Sequence, residues 1–94
     1  MSALDAHLFW RDAIRKASEF TGFSEKEIMG RGRDGALRET RWALWLIMHG
    51  HGASHVAIGR RFNRDHTGIR YGIRQAESLH DSKAFSMLLE ALRG

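Results

Sequence analysis

The chain has 94 residues, 15 of them Lys or Arg against 11 Asp or Glu, for a net charge of +4, and it contains neither Pro nor Cys. That length suits one domain with one core and leaves no room for a second, and the missing Cys excludes a disulfide scaffold, a Cys-ligated zinc site and a thiol nucleophile. No apolar run approaches the roughly 20 residues of a membrane span, and Met1 to Trp10 carry Asp5 and lack the basic start of a secretory leader, so a cytoplasmic protein that avoids membranes is expected.

β-Branched residues are scarce and apolar positions do not alternate, so the expected fold is all-α. Ala6, Trp10, Ile14 and Ala17 stripe a first helix, with Asp5 as its expected cap and an end near Thr21-Gly22. Ser24 followed by Glu27 is a capping box, which opens a short second helix through Ile28 and Met29. Gly30, Gly32 and Gly35, interleaved with Arg31, Arg33 and Asp34, predict a flexible basic loop. The spacing of Trp42, Trp45, Leu46 and His49 predicts a largely buried third helix over about Leu37–His49, closed by Gly50 and Gly52. Ser54 is placed to cap a fourth helix bearing Ala57, Ile58 and Phe62. After the tight link Asn63-Arg64, Asp65 can cap a fifth that reaches about Leu79. Asp81 or Ser82 can start a sixth, striped by Phe85, Leu88, Leu89 and Leu92.

Charge is segregated along this order. Arg60 to Arg74 carries five Arg against one Asp, and Arg31 to Arg41 carries four Arg against two acids, which leaves the remainder of the chain at −2. Clustering of this kind is the electrostatic footprint of a nucleic-acid binder. All but three of the 15 basic side chains are Arg, whose planar fork suits phosphates and guanine edges. At 100° per residue, Ile69, Gly72, Ile73 and Ala76 share one face of the fifth helix, while Thr67, Arg70, Tyr71, Arg74 and Ser78 cluster opposite, with His66 at the flank. Two short helices with the second one basic describe a helix-turn-helix, whose second helix enters the major groove.

The run Phe62-Asn63-Arg64-Asp65-His66-Thr67-Gly68-Ile69, with Ile58-Gly59 before it and Arg74 after it, resembles the signature of the C-terminal DNA-binding domain of DnaA, the bacterial replication initiator. Upstream, Phe23-Ser24-Glu25-Lys26-Glu27-Ile28 followed by Gly30-Arg31-Gly32-Arg33, and Arg41 heading an apolar helix, resemble that family in the same order, so the likeness covers roughly Leu8 to His80. The resemblance implies a small TrpR-like bundle of about six helices, standing alone, that reads a DnaA-box-like site in duplex DNA for replication control or transcription regulation, with nucleoid association. Carried over by position, Arg64, Asp65, His66 and Thr67 would form the major-groove group, joined by Arg70 and Tyr71 from the exposed face. Arg31 or Arg33 would enter the minor groove, and Arg41, Arg74 and the backbone near Ser54 would hold phosphates. The family has a second hydroxyl residue where this chain has Gly68. No Gly-rich loop ending in Lys-Ser/Thr is present, so no nucleotide cofactor is expected.

Other chemistries find less support. Trp10, Trp42 and Trp45 sit at helical spacing among apolar neighbours and are expected in the core. His51 and His55 are separated by Gly52 and Ser54 and lack a completing ligand, so no metal is expected. Ser, His and Asp form no nucleophile elbow or carboxylate pair, which argues against an enzyme. The competing reading is a protein-interaction module that has lost specific DNA binding and engages a partner through its basic surface or the stripe of its C-terminal helix.

Overall fold

The computed structural model describes residues 2–94, which form six α-helices and, among the described residues, no strand. α1 (Ala3–Thr21) is capped by Ser2, whose hydroxyl accepts from the Asp5 N–H while the Asp5 carboxylate accepts from the Ser2 N–H. Asp5, expected as the cap itself, is therefore the third residue of a capping box, which closes two otherwise orphaned donors where one cap would close one. The helix ends at Gly22, whose φ of 84° lets its N–H reach the Ser18 carbonyl. α2 (Glu25–Met29) begins with the expected Ser24–Glu27 box.

α3 (Gly35–Gly50) starts earlier than its apolar spacing suggests, because the Asp34 carboxylate accepts from the N–H groups of Ala36 and Leu37 and so caps one turn more. It is the central element, packing against every other helix. Leu44, Ala43 and Met48 on it are wholly buried. α4 (His55–Phe62) and α5 (His66–Ser78) open on the predicted caps Ser54 and Asp65. α6 (Lys83–Arg93) is capped by Ser82 and lies against α1 and α3.

One cluster of buried side chains joins all six helices, from Ala13, Ile14 and Ala17 of α1 through Ile28, Trp45, Ile58 and Ile69 to Phe85 and Leu92 of α6. Phe85, Leu88 and Leu92 are thus core residues: of the two roles open to the stripe, packing on the domain and meeting a partner, it takes the first, and the face named in the competing reading points inward. Trp45 is buried, and Trp10 and Trp42 pack half-buried against the same cluster. No helix among the described residues is long and apolar enough to cross a membrane.

Candidate nucleic-acid interface

α4 and α5 are joined by three residues, Asn63, Arg64 and Asp65, within the length that ties two helices into a helix-turn-helix corner. Asn63 takes the left-handed conformation (φ 54°), which Asn tolerates better than most residues. Its successor then turns back on α4, so that the Arg64 N–H donates to the Gly59 carbonyl at 2.8 Å. This approach demands glycine, since a Cβ at Gly59 would lie inside contact with the Arg64 carbonyl oxygen. A second close approach seats α5 on α3: a Cβ at Gly72 would collide with the six-membered ring of Trp45. The two glycines fix where the start of α5 projects.

At that start the predicted division of faces holds. Ile69, Gly72, Ile73 and Ala76 are buried, whereas His66, Thr67, Arg70, Tyr71, Arg74 and Ser78 are exposed. Tyr71 leans edge-on against Trp42, ring centres 6.4 Å apart, and leaves 57% of its surface in solvent. The Asp65 carboxylate accepts from the Thr67 N–H at 2.8 Å and lies 3.5 Å from His66 Nδ1. Hydrogen bonds from the Thr67 backbone and hydroxyl hold it below the usual carboxylate range. Asp65 is thereby engaged as a cap, and the side chains of His66 and Thr67 beside it are exposed in the first turn. Ser54 is likewise an exposed cap, its hydroxyl accepting from Ala57 N–H at the start of α4.

The arginines fall into two groups. Arg41, expected on phosphate, is only 3% exposed, and its Nε, Nη1 and Nη2 donate to the carbonyls of Ile28, Gly32 and Glu27. It is a core residue that knits α3 to the end of α2 and to the loop, so the phosphate role expected for it is withdrawn. Arg64 is half-buried, its guanidinium 5.6 Å from the centre of the Trp45 ring. It donates through Nη1 to the Phe62 carbonyl and through Nη2 to that of Gly30. Burial, and after it the charges of Arg41 and Arg31, lower the pKa of Arg64; burial alone lowers that of Arg41. Arg31 reaches the other way, from the loop to the Asn63 carbonyl at 2.8 Å. The loop expected to be flexible is fastened at Gly30, Arg31 and Gly32.

The second group is free. Arg33, Arg70 and Arg74, expected at the interface, are exposed, and with them stand Arg38 and Arg60, which sequence reasoning passed over although both lie in the two basic segments. Arg38 covers the Trp42 face, 6.0 Å from its centre. A depression of about 280 Å³ between the loop and α5 is lined by Arg31, Arg33, Arg38, Arg64, Trp42 and Tyr71, with Gly68 leaving its rim open. Among the described residues, every Arg or Lys paired with a carboxylate lies on α1, where Asp12 meets Arg15 and Lys16, and Arg15 also meets Glu19. No arginine from Arg31 to Arg74 has an acidic partner there.

Histidines border this surface. His55 stacks on His49 with ring centres 4.6 Å apart. Desolvation first, then the neighbouring His49, Arg70, His66 and Arg74, lower its pKa. His51 stacks instead on Phe9 at 4.1 Å, so His51 and His55 go to different partners. Among the described residues no three His, Cys, Asp or Glu groups come together to hold a metal. No protein-family model matches the chain, and no curated protein matches it significantly.

Proposed function

We propose that this protein binds double-stranded DNA with sequence preference, placing the start of α5 in the major groove while the 30–34 loop engages the adjacent backbone or minor groove. The observation that carries the reading is the charge pattern. Six exposed arginines, Arg31, Arg33, Arg38, Arg60, Arg70 and Arg74, surround the first turns of α5 without a carboxylate partner, whereas the Arg and Lys ion pairs among the described residues, those of Asp12 and Glu19, lie on α1. A surface of this kind is complementary to a polyanion, and a helix start bearing His66 and Thr67 is shaped for base edges. The likeness of residues 62–69 to the DnaA signature supports a DnaA-box-like site, and with it a part in replication control or transcription.

A labelled duplex carrying a DnaA box, titrated beside a scrambled duplex at several salt concentrations, tests the proposal. DNA binding of this type gives a logarithmic slope of about −0.9 per phosphate neutralised, together with tighter binding to the box. No binding, or affinity indifferent to salt, refutes it and favours a module for an acidic protein partner. Steep but sequence-blind binding refutes only the site preference.

A further inference from the structure

The loop and the corner of the helix pair hold each other through reciprocal arginines. Arg31, on the loop, donates to the carbonyl of Asn63, and Arg64, one residue beyond Asn63, donates back to the carbonyl of Gly30, one residue before Arg31. Arg41 fixes the same loop from beneath through Gly32, and the end of α2 that leads into it through Ile28. All these acceptors are main-chain carbonyls, so the geometry depends on backbone positions and no formal charge is neutralised. The planar fork of Arg64 bridges Phe62 and Gly30 while its face lies over Trp45, a combination that a lysine ammonium cannot reproduce.

From this geometry we infer that Arg64 is a positioning residue of the DNA site and reads no base itself: with Arg31 it locks the loop to the helix corner, so that Arg33 and the His66–Thr67 turn meet one duplex as a single rigid unit. The inference rests on the DNA-binding reading above. A loop with Gly at two of its first three positions would otherwise be ordered only on contact with DNA, at the expense of affinity; the clasp moves that ordering into folding. It also assigns the loop's reaching role to Arg33, which is exposed and makes no hydrogen bond or ion pair with a described residue, whereas Arg31 is engaged.

Two measurements test this. In the DNA-free protein, backbone order parameters for residues 31–33 should be near the rigid value of about 0.85 and should drop below about 0.6 in Arg64→Lys and in Arg31→Ala. The second variant alters an exposed side chain and keeps the test alive if Arg64 variants do not fold. Unchanged order in both variants overturns the clasp whether or not the protein binds DNA. On a duplex selected from a random pool, Arg64→Lys should weaken binding about tenfold with the same ranking of single base-pair changes. It should also abolish a non-additivity between Arg33→Ala and His66→Ala that is expected in the wild-type background. Lost discrimination confined to one or two base pairs would make Arg64 a base reader and overturn the proposal. Failure of the wild-type protein to bind any duplex defeats the function while leaving the relaxation result to judge the clasp.

Discussion

At Gly68 the first turn of α5 lacks a side chain, and a Cβ placed there would touch nothing. Gly68→Ala should therefore raise stability by about 1 kcal/mol, the ordinary helix-propensity gain. Gly59→Ala and Gly72→Ala, which push into the Arg64 carbonyl and the Trp45 ring, should each lower it by about 1–3 kcal/mol. Urea unfolding of the three variants checks the contrast, and a stabilised Gly59→Ala would contradict the close approach described at the corner. The arginines divide in the same way. Arg41→Ala leaves the carbonyls of Ile28 and Gly32 without this donor and takes one of two from that of Glu27, and should cost at least about 2 kcal/mol of folding stability. Arg74→Ala should leave unfolding unchanged and weaken all duplexes alike. His66→Ala belongs to a third kind: with its side chain exposed at the helix start, it should lose about 1–3 kcal/mol of duplex binding, concentrated at one or two base pairs. A scan of single base-pair changes separates it from Arg74→Ala.

Among the elements, helix order, the Ser24, Ser54 and Asp65 caps, Ser82 as one of two candidates, and the two faces of α5 were legible, because capping and amphipathic period are local and act within three or four residues. The destinations of the arginines were not. A guanidinium 32 or 34 residues away from its acceptor leaves no periodic trace, as for Arg31 with Asn63 and Arg64 with Gly30. For Arg41 a signal did exist: Leu37, Arg41, Leu44 and Met48 fall at intervals of four, three and four, so the charge stood in a core stripe and pointed to burial. The start of α4 carries its own pH response. Since folding lowers the pKa of His55, the unfolded chain takes up that proton first. Stability should therefore be highest above about pH 6.5 and fall as the solution is acidified through that value. On the DNA-binding reading, a polyanion laid over Arg70 and Arg74 opposes the field that lowers the His55 pKa, so duplex binding should take up a proton there and tighten as the pH falls through about 6.5. Calorimetric titration in buffers of different ionisation enthalpy reads the uptake directly, and proton release on binding would contradict this arrangement.

The whole molecule measures 33 × 27 × 24 Å, and its longest extent matches about one turn of duplex. On the DNA-binding reading, this domain would cover a single short site. The unpaired arginines around α5 also have a consequence when no DNA is present. Like charges crowd one side of a small domain, outnumbering the acids Asp34, Glu39 and Asp65 and forming no ion pair with them among the described residues, so the protein without a ligand carries a Coulombic strain of its own making. Raising sodium chloride from about 0.02 to 0.3 M shortens the reach of that repulsion to under about 10 Å. The free domain should accordingly melt at a higher temperature in salt, in the same range over which the proposed hold on DNA should weaken. Scanning calorimetry with and without duplex would show the two trends crossing, with salt and phosphate backbone acting as rival remedies for one imbalance.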